Sequence, residues 1–97
     1  MKSLKEIQKI LTDHKGELGQ RYKVKEIGIF GSVVRGEQKK KSDIDILVEF
    51  ESPIGLFKFL ELEEYIGDLL GIKVDLVSKK ALKPRIGKHI LQEVLTI

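Results

Sequence analysis

Val24 to Phe50 reads VKEIGIFGSVVRGEQKKKSDIDILVEF, and this stretch decides the fold. Val24 to Phe30 has the composition of a strand and is ended by Gly31-Ser32. A short helical turn through Arg35 follows, then the loop Lys39-Lys40-Lys41-Ser42, then a second strand from Asp43 to Phe50. With only a brief turn between them, the two strands are antiparallel neighbours. Ser32, just past the end of the first, then meets Asp43, at the start of the second, at one edge of the sheet.

Working outward, Leu4, Ile7, Ile10, Leu11 and Leu18 recur at helical spacing. They predict a first helix from about Leu4 to Leu18, with Gly16 and Gly19 as its breakers. Beyond Pro53 and Gly55, the residues Leu56, Phe59, Leu60, Leu62, Ile66, Leu69 and Leu70 form a broad helical stripe stopped by Gly71. Ile72 to Val77 is a third strand. Pro84 opens a last helix whose apolar side is Ile86, Ile90, Leu91, Val94 and Leu95. This order specifies an α/β (α+β) domain: a small mixed sheet of about three to four strands flanked by helices. No repeat or linker divides residues 1–97, so a single domain is expected.

Composition narrows the chemistry. The absence of cysteine excludes disulfides, thiolate zinc sites and a thiol nucleophile, and the two histidines, His14 and His89, are too scattered for a metal cluster. No apolar run approaches the roughly 18 residues of a membrane span, and the charged N-terminus lacks a signal core, so a soluble cytoplasmic protein is expected. A net charge of +3, from 18 basic and 15 acidic residues, permits nucleotide binding and leaves direct nucleic-acid binding open.

Side chains two apart on a strand share a face, so Asp43 and Asp45 point together while Ile44 and Ile46 point into the opposite layer. Two carboxylates this close resist ionising together unless a cation lies between them. Magnesium, which takes one or two carboxylates plus phosphate and water, suits the pair. On the third strand Asp75 stands opposite Ile72, Val74 and Leu76. If that strand lies beside the second, Asp75 completes a three-carboxylate site for two metals about 4 Å apart and is placed to help deprotonate an acceptor hydroxyl. Gly31 lets the backbone approach a phosphate, and Ser32 offers a hydroxyl and the free N–H groups of a helix start. Arg35, one turn on, reaches toward phosphates. This is the equipment of metal-dependent nucleotidyl transfer, which needs positioning and charge neutralisation and no covalent nucleophile.

Gly31-Ser32-Val33-Val34-Arg35-Gly36 followed by Ser42-Asp43-Ile44-Asp45-Ile46-Leu47-Val48 resembles the minimal nucleotidyltransferase (MNT) antitoxins of the DNA polymerase beta superfamily. The resemblance covers nearly the whole chain. It implies a polymerase-beta-like fold in which Gly31 and Ser32 hold the nucleotide, Asp43 and Asp45 hold metal, and Asp75 is the third carboxylate. It further implies an antitoxin that uses ATP and magnesium to attach AMP to a tyrosine of a HEPN-domain toxin, in a complex with that toxin.

Plainer readings stand beside these. Gly31-Ser32 alone is an ordinary turn and helix cap. Asp75 also suits an edge-strand charge that discourages sheet-to-sheet pairing. Arg35 has a second reading as the partner of Glu37 or another surface acid, and Lys39 to Lys41 as a solvated loop. The same metal site would serve an RNA end or a small-molecule hydroxyl, and an antitoxin can also neutralise by binding alone.

Overall fold

The computed structural model describes residues 3–36 and 43–97. Ser3 opens α1 (Leu4–Asp13) with a reciprocal capping box: its hydroxyl accepts from the Glu6 N–H, and the Glu6 carboxylate accepts from the Ser3 N–H. The predicted first helix is in fact two. His14, at φ −103° and ψ 5°, breaks it, and α2 (Lys15–Tyr22) starts afresh. The junction is held locally: the His14 backbone N–H is shared between the Ile10 and Leu11 carbonyls, and its ring Nδ1 lies 2.8 Å from the Ile10 carbonyl oxygen. Gly16 and Gly19, the expected breakers, lie inside α2.

What ends α2 is Lys23, in the left-handed region at φ 58°. An L side chain there carries a steric cost of about 1 kcal/mol that glycine does not. Lys23→Gly is therefore expected to stabilise the protein by about that amount, because the Lys23 side chain is exposed and the backbone hydrogen bonds remain. A urea midpoint that rises with unchanged slope would report it.

Strand β1 (Val24–Phe30), the one-turn helix α3 (Ser32–Arg35) and β2 (Ile44–Phe50) fall where the sequence puts them. β1 and β2 are antiparallel, with Phe30 paired to Asp45, Ile29 to Ile46 and Gly28 to Leu47. Helix α4 (Leu56–Leu70) carries the chain across and ends at Gly71, whose φ of 66° lies in the left-handed region that glycine adopts without strain. β3 (Val74–Ser78) then runs parallel to β2, beginning two residues later than the alternation suggests. After a 3-10 turn at Lys79–Ala81 comes α5 (Pro84–Glu93).

The last helix stops short of the predicted apolar pair Val94 and Leu95. Val94 turns extended, and Leu95–Thr96 form β4, antiparallel to β1. Gly28 makes this approach close: a Cβ there would sit 2.6 Å from Val94 Cγ2 and 3.0 Å from the Leu95 carbonyl oxygen. The sheet order is β3-β2-β1-β4. At its β3 edge the Leu76 N–H donates to Glu63 of α4 at 2.8 Å, so one free edge donor is satisfied.

The two faces of this sheet differ. Ile27 and Ile29, Ile44, Ile46 and Val48, and Val74 and Leu76 are buried against the helices through Ile7, Leu11, Leu18, Leu62, Ile66 and Leu70. The predicted α4 stripe is narrower than its sequence suggests, since Leu56 and Leu60 are 68% and 48% exposed. The opposite face carries Gly28, Phe30, Asp45, Leu47, Glu49 and Asp75, partly roofed by Leu91 and Val94 over a groove of about 200 Å³. Among the described residues no helix is long and apolar enough to cross a membrane.

Candidate active site

Gly31 ends β1 at φ 83° and ψ −155°, a combination essentially confined to glycine. It lies directly against β2: a Cβ at Gly31 would stand 2.1 Å from Asp45 Oδ2. The Gly31 carbonyl accepts from the Val34 and Arg35 N–H groups, which winds α3 and places Ser32 at its start. Gly36, at φ 72°, terminates the turn. The chain thus folds back within one turn of the strand, with Gly31 pressed on a carboxylate.

β2 and β3 lie side by side, and Asp45 and Asp75 are register partners on adjacent parallel strands. The condition on which Asp75 joins the site is met. Asp75 is exposed and β3 is a sheet edge, so the residue also has the position expected of an edge charge. Asp43 is half-buried just before β2, with Lys73 Nζ 4.0 Å from its Oδ2. Burial pushes the Asp45 carboxyl above the usual carboxylate range, and repulsion from Asp75 and Asp43 pushes it further, against a smaller opposing effect from Arg35.

A cation would relieve that repulsion. Among the described residues no three carboxylate or imidazole groups converge into a ready metal cage. What is present is a short row of carboxylates on the open face of the sheet, the donor set that magnesium takes when phosphate and water complete its shell. The residues fit the ion as a shared site and not as a dedicated protein cage.

Arg35 has found a surface acid, but one the sequence does not indicate. Its Nη1 lies 2.8 Å from Oε1 and 3.1 Å from Oε2 of Glu93, at the far end of the chain. The same Glu93 oxygen accepts from the Gly31 N–H at 2.6 Å. A contact across 62 positions leaves no trace in local spacing, so Glu93 is the site residue that sequence reasoning missed. Glu37, Lys39 to Lys41 and Ser42 lie outside the described residues.

The family model of the nucleotidyltransferase domain matches residues 11–96, which include α2 through β4 and Asp43, Asp45, Asp75 and Glu93. The chain belongs to the nucleotidyltransferase family. A relative in Thermococcus cleftensis, named protein adenylyltransferase MntA, is 57% identical over 97 residues, covering all of this chain and 98% of its own. A solved structure described as a minimal nucleotidyltransferase superimposes with a TM-score of 0.76 at 32% identity, covering 94% of this chain and 95% of that one. A second, a toxin-antitoxin structure with AMP-PNP, gives a TM-score of 0.71 at 26% identity, covering 95% and 69%. This nucleotidyltransferase therefore has the minimal fold of its family, with a mixed sheet, α1, α2 and α4 packed on one face and the Asp45 and Asp75 carboxylates on the other.

Proposed function

We propose that this enzyme transfers AMP from ATP, with magnesium, to a tyrosine of a HEPN-domain toxin with which it assembles in the cytoplasm, and so acts as that toxin's antitoxin. Residues 1–97 act in this reading as one catalytic domain. The observation that carries it is the packing of Gly31 on Asp45 with Asp75 abreast, a phosphate-sized turn closed against carboxylates. The name of the 57% identical relative supports a protein acceptor, and the toxin-antitoxin neighbour with AMP-PNP supports both the partner and the nucleotide.

In this mechanism the Gly31 N–H and the Ser32 hydroxyl hold the triphosphate, and Arg35 balances charge on the departing pyrophosphate. Asp43, Asp45 and Asp75 would hold magnesium, which when bound neutralises phosphate charge and polarises the reacting phosphorus. The acceptor oxygen forms a bond to the α-phosphorus. The bond from that phosphorus to the oxygen bridging toward the β-phosphate breaks, and pyrophosphate leaves with the electron pair. Asp75, the most exposed of the carboxylates, takes the hydroxyl proton and passes it to water.

Incubating the product of the adjacent gene with this protein, ATP and magnesium, then measuring intact mass, tests the proposal. Wild-type protein is expected to add one or more AMP units and the Asp43→Asn, Asp45→Asn double variant none. Complex formation without any gain in mass would move the function to neutralisation by binding. Labelling of an RNA pool in place of the protein would overturn the choice of acceptor.

A further inference from the structure

Glu93 is the last residue of α5, and its carboxylate bridges the two groups assigned above to phosphate. A backbone N–H on Oε1 and an arginine Nη1 reaching both oxygens are the donors that a phosphate oxygen takes at such a turn. We propose that Glu93 is a built-in phosphate surrogate: it occupies the Gly31 and Arg35 donors of the free enzyme, and a nucleoside triphosphate binds by displacing it. The inference rests on the reading of Gly31-Ser32 as the phosphate turn.

The strap that carries Glu93 is pinned on its far side. Immediately beyond it, β4 pairs with β1 through Gly28–Thr96 and Ile29–Leu95, and the Ile97 N–H donates to the Ile27 carbonyl at 2.8 Å. The close seat at Gly28 fixes Val94 and Leu95 against the sheet. Glu93 is therefore returned to the same place whenever the site empties, and its release needs only rotation of a side chain that is 27% exposed. Until it leaves, its charge also stands against an incoming anion. A polyphosphate, with several charges to offer Arg35 and the turn, competes for these donors better than a monophosphate does. The device thus favours the triphosphate substrate and, on its return, helps expel pyrophosphate.

The test is titration of the 97-residue protein with AMP-PNP and magnesium, followed by calorimetry, alongside amide NMR of the free protein. Glu93→Gln, which keeps an acceptor but loses the charge, is expected to tighten binding about tenfold and to shift the Gly31 amide resonance. Glu93→Asp keeps the charge but is one methylene too short to hold both donors, and it is expected to tighten binding as well. If only Glu93→Gln does so, the effect is long-range repulsion and direct occupancy is overturned. If the wild type binds AMP-PNP and neither variant binds more tightly, the surrogate role falls while the phosphate turn stands. If none of the three proteins binds AMP-PNP, the phosphate-turn reading fails and the surrogate with it.

Discussion

Gly31→Ala is expected to lower the rate of AMP transfer by at least about a hundredfold, because the methyl group has nowhere to go except into Asp45, a proposed metal ligand. The added Cβ would lie 2.1 Å from Asp45 Oδ2, 2.9 Å from its Cγ and 3.2 Å from its Cβ, so relief requires the whole carboxylate to swing away. The backbone also opposes the change. At φ 83° and ψ −155° an alanine carries about 1–3 kcal/mol of strain, which the turn would escape by moving off the phosphate position. Gly16→Ala is the control. It lies in α2 with nothing within 4 Å of a Cβ, and it should leave activity unchanged while adding about 0.5–1 kcal/mol of stability. Steady-state kinetics with thermal melts on both variants checks this. Near-normal turnover by Gly31→Ala would show that the contact with Asp45 does not set the geometry.

Asp45→Asn should separate activity from stability in the opposite directions. In the proposed mechanism loss of the carboxylate removes a magnesium ligand, and the rate of transfer is expected to fall by about a thousandfold or more. The metal-free protein should nevertheless melt slightly higher. The folded environment disfavours the charged form of Asp45, through burial first and through Asp75 and Asp43 next, so a neutral isostere is better accommodated there. Solvent screening of this half-buried position limits the gain to a few degrees at most. Differential scanning calorimetry in a chelator, paired with the mass assay, reads both effects. A lower melting temperature together with lost activity would mean that Asp45 serves the fold, and its catalytic assignment would need revision.

Much of this architecture is legible in the chain because local signals and tertiary demands agree. β1 has a sharp end at Gly31, and α4 has a glycine stop at Gly71. In β2, Ile44, Ile46 and Val48 alternate with Asp45, Leu47 and Glu49, and the first set is buried in the core. Where the reading fails, the deciding interaction is distant or unusual. Nothing in the period of Leu4 to Leu18 marks His14 as a break, since its geometry depends on where α2 must pack. Val94 and Leu95 continue a helical stripe in sequence, yet the bare backbone at Gly28 draws them into an edge strand. Alternation puts Asp45 and Asp75 on one face of the sheet, as the structure does, whereas Glu93 reaches Gly31 and Arg35 only through the path of the last helix.

The alternation along β2 ties chemical competence to folding itself. Each step along this strand sends one residue to the core and the next to the face that carries Asp45, so an insertion or deletion within it would exchange the two sets at once. A misregistered chain would bury Asp45 and expose Ile44 and Ile46, and it would be removed as an unfolded protein before it could be tested as an enzyme. Folding would thus serve as the proofreader of the proposed site, because any molecule that has closed its core has also set Asp45 and Asp75 in line.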